Sequence, residues 1–281
     1  MYFLFPVLAA FIQTGSVVLD KVTLSIKQVS FKTYLGISFP VIFLVNLAIF
    51  LIFKPPLSLG LFSGNLGWLL LASIGITIGT NILSYRALDH DQVLEIQTVG
   101  LLRNFPIIIL ASIFFSDERN LLLLVLSIIA TGAVFWSHLN HHHFSIKKDT
   151  LPFLIWSVTA MPVNVLIAKE LLFVWNPISL ELIRTTAFAL VFMFLFYKSA
   201  QKTPSKAWLP LIITNAFAAI AWILIHFGYK YIGIIHTHLL FSLHPLLVYL
   251  SSVFILKEPV HIKKTVAFFV VVATIILSGI I

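Results

Sequence analysis

Long apolar runs separated by short polar segments follow one another along the whole chain. A helix needs about 20 mainly apolar residues to cross roughly 30 Å of hydrocarbon, because its backbone polar groups must be satisfied internally. By this measure the sequence predicts ten spans, whose approximate bounds are 2–19, 33–53, 66–87, 93–115, 120–138, 151–169, 178–197, 207–229, 234–256 and 262–281. We therefore predict an all-α membrane protein with ten transmembrane helices.

Composition supports this prediction. Of the 281 residues, 60% are hydrophobic and 10% are charged, whereas soluble domains are roughly 45–50% apolar and about 25% charged. The surplus apolar surface must face lipid. The net charge is +8, but the basic residues stand singly or in small groups between apolar runs, as in membrane proteins, and nucleic acid is not an expected partner. We predict a multi-pass protein of the cell membrane, which is the inner membrane in a Gram-negative cell.

The two halves of the chain contain similar motifs in the same order, about 140–148 residues apart. The paired motifs are Pro106…Glu118 with Pro245…Glu258, Ser84-Tyr85-Arg86 with Gly228-Tyr229-Lys230, and Ser16…Lys21 with Asn164…Lys169. Five spans per repeat is an odd number, so the second repeat enters the membrane from the opposite side. The sequence predicts two inverted five-helix repeats, 1–144 and 145–281, in one integrated membrane domain. Many secondary transporters use this architecture.

These motifs resemble those of the EamA-type branch of the drug/metabolite transporter superfamily, over nearly the whole chain. The resemblance rests on the two Pro…Glu motifs, the Tyr-x-Ala-Leu motif at 85–88, the Asn164…Lys169 spacing and the stretch 182–184. The chain departs from the family pattern in two places. Span two lacks the arginine that Arg184 supplies in span seven, and Gln13-Thr14-Gly15-Ser16 stands where a Trp-Gly pair is usual.

The resemblance implies a secondary transporter, taken here as an exporter, of small polar metabolites such as amino acids. It also implies a central cavity formed mainly by spans one, three, four, six, eight and nine. This arrangement favours some polar and aromatic residues of the spans as substrate-binding residues and disfavours Asn46. The favoured residues are Gln13, Asn81, Asn104, Asn164, Trp222 and His226.

Arg103 lies deep in the fourth predicted span, where an ionisable side chain costs from about 2.5 to more than 10 kcal/mol and therefore marks a functional site. A guanidinium binds a carboxylate or phosphate well, so one interpretation is that Arg103 binds an anionic group of the solute. The alternative is an ion pair with Glu95 or Glu181. Glu181 is three residues from Arg184 and is predicted to pair with that arginine or with a neighbour.

The histidines form two groups. His138 and 141–143 lie in a loop, where consecutive residues point in different directions and do not converge on a metal. His226, His238 and His244 lie in or near spans eight and nine, where each either lines the solute path or hydrogen-bonds a neighbouring helix. Histidine titrates near neutral pH, which suits proton coupling. No metal and no cofactor are predicted.

We interpret the chain as a transporter that moves its solute by alternating access. It has no ATP-binding P-loop motif, so a gradient would supply the energy. The alternatives are a membrane enzyme acting on lipid-linked substrates, with an acidic cluster at Asp89, His90, Asp91 and Glu95, and a non-transporting accessory subunit. The oligomeric state, with a homodimer as one option, stays open.

The orientation in the membrane also stays open. The family resemblance places both termini in the cytoplasm. The loops on one side carry twelve Lys and Arg residues and those on the other side carry four, and the positive-inside rule then places both termini outside.

Overall fold

The chain is mainly helical in the ranges that the structure, a computed structural model, describes: 2–24, 26, 29–57, 62, 64–90, 102–138, 150–256 and 262–279. No strand occurs in these ranges. The helices are α1 (Leu4–Leu24), α2 (Phe31–Phe53), α3 (Gly64–His90), α4 (Asn104–Phe114), α5 (Leu121–His138), α6 (Leu151–Val174), α7 (Pro177–Ala200), α8 (Ser205–Tyr231), α9 (Ile234–Phe241), α10 (Leu243–Leu256) and α11 (Ile262–Ser278). A 3-10 turn, Ser116–Glu118, follows α4.

The helices have the length and surface of membrane spans. In the described ranges seven helical segments are long and apolar enough to cross a bilayer, and two shorter apolar helices accompany them. Large apolar side chains point outward: Phe194 is 87% exposed and Ile262 is 80% exposed. An aqueous surface of this kind would be unstable, so these faces contact lipid and the chain is a multi-pass membrane protein.

Several predicted spans differ from the helices found. The sixth was predicted to end at residue 169, whereas α6 continues to Val174. The first span was predicted to end at residue 19, whereas α1 continues to Leu24 and contains Asp20. Only 102–115 of the fourth predicted span lies within the described residues, with α4 beginning at Asn104. The ninth is divided at Ser242 into α9 and α10. Pro245 has no N–H for the carbonyl four residues earlier, which weakens the helix at this point.

The helices pack in pairs that bring the two halves of the chain together. α1 packs along α8, α2 along α7, α3 along α6, and α5 along α11. α4 contacts α6, and α10 contacts α1. The largest core cluster joins α4 and α5 to α6, α8, α9 and α11, with Ile108, Leu171 and Ile234 at its centre. This packing leaves α1, α2, α3, α6, α7 and α8 around a central space.

Gly233, between α8 and α9, provides a stability prediction. Its φ is +87°, in the left-handed region that favours glycine. A Cβ at this position would lie 2.7 Å from Oε1 of Glu118. We expect Gly233→Ala to lower the free energy of unfolding by about 1–3 kcal/mol, measured as thermal unfolding in detergent.

Gly75→Ala is the matched control for this substitution. Gly75 lies inside α3, and a Cβ there would meet nothing within 4 Å. Alanine should stabilise that helix by up to about 1 kcal/mol. Equal effects of the two substitutions would contradict the role assigned to Gly233.

Candidate functional site

A cavity of about 320 Å³ lies at the centre of the bundle, lined by side chains from α1, α2, α3, α6, α7 and α8. The polar lining residues recur at helical spacing: Gln13, Ser16 and Asp20 on α1, and Thr77 and Ser84 on α3. Residues three, four or seven positions apart share one face of a helix. α1 and α3 therefore each turn a polar stripe towards the cavity, which apolar side chains such as Phe39 and Phe188 also line. We call this space the central cavity.

A second, smaller cavity of about 190 Å³ adjoins the central one and is lined mainly by residues of α1, α8, α9 and α10. The two cavities have Gln13, Arg103, Trp222 and Tyr229 in common, so they are neighbouring parts of one space. Most polar side chains that line the smaller cavity carry N–H groups. The side chains with N–H groups include Gln13, Arg103, Asn104, His238 and His244.

All nine substrate-binding residues predicted from the sequence line these two spaces. In the central cavity lie Gln13, Asn81, Arg103, Asn164, Trp222 and His226. In the smaller one, Gln13, Arg103 and Trp222 are joined by Asn104, His238 and His244. Asn46, which the family resemblance placed outside the cavity, is buried and donates from Nδ2 to Oγ1 of Thr185 at 3.3 Å. The predicted residues share one location, and their role in binding stays a prediction.

An ion pair forms the wall of the central cavity on α7. Arg184 donates from Nη1 to Oε1 of Glu181 at 2.9 Å, which confirms the pairing predicted from their spacing. Nδ1 of His226 lies 2.9 Å from the same oxygen, and Nε2 lies 3.3 Å from Nη1 of Arg184. The imidazole of His226 thus lies against both members of the ion pair.

The same arginine connects helices from both halves of the chain. Its Nη2 donates to Oγ1 of Thr77 on α3 at 3.0 Å, and Nδ2 of Asn164 on α6 donates to this hydroxyl at 3.1 Å. We call Thr77, Asn164, Glu181, Arg184 and His226 the central polar cluster. Because a charged guanidinium and a carboxylate satisfy each other here, the cluster holds α3, α6, α7 and α8 in one arrangement.

Arg103 lies where the two cavities meet, just before α4. Its Nη1 is 3.5 Å from Sδ of Met161, and no carboxylate of a described residue lies within 4 Å of it. The alternative pairing of Arg103 with Glu181 is therefore wrong, since Glu181 pairs with Arg184. Glu95, the other predicted partner, lies outside the described residues.

The three histidines have different surroundings. His226 belongs to the central polar cluster. Nε2 of His238 is 3.0 Å from the hydroxyl of Tyr229. The ring of His244 stacks on Phe241, with centroids 5.2 Å apart, and its buried Nε2 has no hydrogen-bond partner in the described part of the chain. His226 and His238 thus line a cavity and also contact a neighbouring side chain, and their place on a solute path stays a prediction.

Several cavity residues were not among those predicted from the sequence, and Asp20 and Tyr34 are the clearest. Asp20 was missed because the first span was taken to end at residue 19. The spacing of Gln13, Ser16 and Asp20 at positions i, i+3 and i+7 of one helix is the signal that could have identified it. Tyr34 and Tyr85 approach each other only through the packing of α2 on α3, with ring centroids 4.8 Å apart.

A buried salt bridge closes the bundle beyond the smaller cavity. Nζ of Lys169 lies 2.6 Å from Oδ2 of Asp117 and 2.6 Å from Oε1 of Glu118. The Glu118 carboxylate also accepts the backbone N–H groups of Ile234 and Ile235 at the first turn of α9. Lys169 and Glu118 are each 3% exposed. We call Lys169, Asp117, Glu118 and the first turn of α9 the Lys169 clamp.

Among the described residues, no group of three or more His, Asp and Glu side chains is placed to hold a metal ion. The acidic cluster considered for a membrane enzyme lies only partly within the described residues. Asp91 and Glu95 lie outside the described residues, as do the loop histidines 141–143 and Glu258 of the second Pro…Glu motif.

The second half of the chain matches a known family. The model of the EamA-like transporter family matches residues 150–280, which confirms the resemblance predicted from the motifs. One solved structure, described only as the crystal structure of a protein, is similar over 99% of this chain and 97% of its own, with a TM-score of 0.75 and 13% sequence identity. At that identity the likeness concerns the fold. No curated protein sequence matches the chain.

Proposed function

We propose that this chain, whose residues 150–280 match the EamA-like transporter family, is a secondary transporter that exports small polar metabolites, such as amino acids, across the cell membrane. The observation that carries the proposal is the pair of adjoining polar cavities inside a bundle with an apolar exterior. Polar and ionisable groups are costly within a membrane, and they occur there mainly along the path of a solute. A packed structural protein would need no such space.

Ten spans in two inverted repeats, 1–144 and 145–281, are part of this proposal. The packing of the helices supports it when α9 and α10 together count as the ninth span. Exchanging each span with the one five places away turns the pair α1–α8 into α6–α3, and both pairs are packed. The same exchange leaves the pairs α2–α7 and α5–α11 unchanged. A two-fold relation of this kind is typical of transporters that work by alternating access.

The charge distribution also supports alternating access. The Lys169 clamp joins α6, α9 and the turn Ser116–Glu118 at one end of the bundle, next to the smaller cavity. The central cavity extends the other way, to Asp20 on the last turns of α1 and Tyr34 on the first turn of α2. Alternating access requires a cavity that is closed at one end at a time. Here the ion pair of the Lys169 clamp would close one end, and rocking of the two halves would open it.

Arg103 is the residue we propose to bind the solute's carboxylate. Its guanidinium has no carboxylate partner in the described part of the chain, and the donor-rich smaller cavity surrounds it. A carboxylate there would meet Arg103 together with Asn104, His238 or His244. Such charge-assisted hydrogen bonds are roughly twice as strong as neutral ones. The remaining predicted residues, among them Asn81, Asn164 and Trp222, would form the walls of the site.

The proposal is tested by binding and counterflow measurements on the purified protein. A bound solute at 100 times its dissociation constant stabilises a protein by about 2.7 kcal/mol, so a panel of amino acids, organic acids and sugar phosphates can be screened by thermal unfolding. Proteoliposomes loaded with each hit should then take up the labelled solute by exchange. We expect at least one carboxylate-containing solute to bind and exchange, and Arg103→Ala to weaken its binding about 10- to 100-fold.

Arg119→Ala is the matched control. Arg119 is exposed, its side chain donates to the carbonyls of Ser112 and Ile113, and it lines neither cavity, so solute affinity should not change. Equal affinity in the Arg103 and Arg119 variants would refute the role of Arg103. A chain that binds no solute and exchanges none in liposomes would refute the transport function.

A further inference from the structure

The Asp20 end of the central cavity carries a carboxylate whose described partners are neutral. The hydroxyl of Tyr34 donates to Oδ1 of Asp20, and Oγ1 of Thr214 donates to the same oxygen at 2.7 Å. Among the side chains that the structure describes, which do not include that of Lys21, no lysine, arginine or histidine nitrogen lies within 4 Å of this carboxylate. The two hydroxyl groups position this carboxyl group, which lines the central cavity.

Aromatic rings stand beside this carboxylate. Tyr34 and Tyr85 pack with centroids 4.8 Å apart and ring planes at 31°, and both line the central cavity together with Phe39. The face of an aromatic ring attracts a cation within about 6 Å of its centroid. A carboxylate next to two tyrosine rings is therefore a favourable site for an organic cation, which can pair with the carboxylate and lie against a ring face.

The other charges that line the cavity do not compete for this position. Glu181 is already paired with Arg184, and Arg103 lies at the junction with the smaller cavity, which Asp20 does not line. Asp20 and Arg103 thus occupy different parts of the space. One part is suited to a cation and the other to an anion.

We propose that Asp20, with Tyr34 and Tyr85, binds an ammonium group of the solute, either a protonated amine or a quaternary ammonium. This inference rests on the proposed transport function and specifies the chemistry of one end of its site. Ser16 and Thr214 hold the carboxylate in place, because the Ser16 hydroxyl and the Thr214 hydroxyl bond each other across α1 and α8 at 3.1 Å. Tyr34, which is fully buried, fixes it from α2.

The test compares cationic and anionic probes on the detergent-purified full chain. Putrescine and tetramethylammonium serve as cations and succinate as the anion, with dissociation constants from titration calorimetry. We expect the cations to bind the natural chain and Asp20→Asn to weaken them about 10- to 100-fold, as loss of a charged hydrogen-bond partner does. Succinate affinity should change less than twofold.

Two further variants separate binding from folding. Glu170→Gln removes an exposed carboxylate of α6 that lines neither cavity and should leave putrescine affinity unchanged. Tyr85→Phe keeps the aromatic face and should bind tetramethylammonium normally, whereas Tyr85→Leu should weaken it severalfold. A role of Asp20 in packing alone would lower the unfolding temperature of Asp20→Asn without changing the ratio of cation to anion affinity.

The outcomes are distinct for the two proposals. Equal cation affinity in the natural chain and Asp20→Asn refutes the ammonium site. Binding of succinate but of neither cation also refutes it, and leaves transport of anionic solutes standing. Cation binding that depends on Asp20, in a chain that shows no exchange in liposomes, supports the ammonium site and refutes the transport function.

Discussion

Replacing Glu118 by glutamine should lower the free energy of unfolding by about 3–5 kcal/mol, the usual cost of removing one partner from a buried ion pair. Lys169 is 3% exposed, and its ammonium group would then keep only Asp117 as a described carboxylate partner. Glutamine also removes the negative charge from the first turn of α9, where the helix dipole favours an anion. Thermal unfolding in detergent, followed by tryptophan fluorescence, measures the effect.

The companion variants show whether the charge pair is responsible. Lys169→Met should cost less than Glu118→Gln, because Glu118 keeps its two backbone N–H donors from Ile234 and Ile235. The double variant buries no charge and should be more stable than Glu118→Gln alone. Asp117→Asn changes an exposed group and should cost less than about 1 kcal/mol. A loss below 1 kcal/mol for Glu118→Gln would contradict the clamp.

Replacing Arg184 by methionine should abolish solute binding and destabilise the protein by about 3 kcal/mol. The substitution leaves the buried Glu181 carboxylate with His226 as its remaining described partner. It also removes the hydrogen bond to Thr77 that connects α7 with α3. The wall of the central cavity would lose both its charge balance and its fixed position. Unfolding temperature and solute titration on the same preparation measure the two effects.

The two effects can be separated with Glu181→Gln combined with Arg184→Met. This pair leaves no unpaired charge and should recover most of the stability, while solute binding stays lost because the hydrogen bond to Thr77 is still missing. Arg184→Lys keeps the charge but cannot contact Glu181, His226 and Thr77 together, and it should be intermediate in both measurements. Normal solute affinity in the double variant would show that the cluster serves packing only.

Membrane insertion and the positions of most helices could be read from the sequence, because each depends on a local run of apolar residues. The division of the ninth span at Ser242 was harder to predict from the sequence. Pro245 signals a weakened helix, but many membrane helices continue through a proline when neighbouring groups satisfy the backbone. Here Ser242 donates its N–H to the carbonyls of His238 and Leu239, and α9 ends.

The candidate site was predictable as a list of residues but not as an arrangement. Polar side chains inside apolar spans are few, and nine of them, from Gln13 to His244, line the two cavities. Asp20 was missed because the end of a helix depends on its neighbours as well as on its own residues. Thr77, which accepts a hydrogen bond from Arg184, is 107 positions from it in the sequence. No periodicity predicts that contact.

The sequence by itself determined that the chain crosses a membrane and which polar groups are buried at a cost, and it predicts that the two halves are related. These properties follow from the composition and spacing of neighbouring residues. Only the tertiary structure decided which charges satisfy each other. Glu118 lies beside Lys169 and the first turn of α9, and Glu181 beside Arg184, whereas Asp20 and Arg103 face the cavities. Pairing depends on distances between helices far apart in sequence, and only the packed bundle sets those distances.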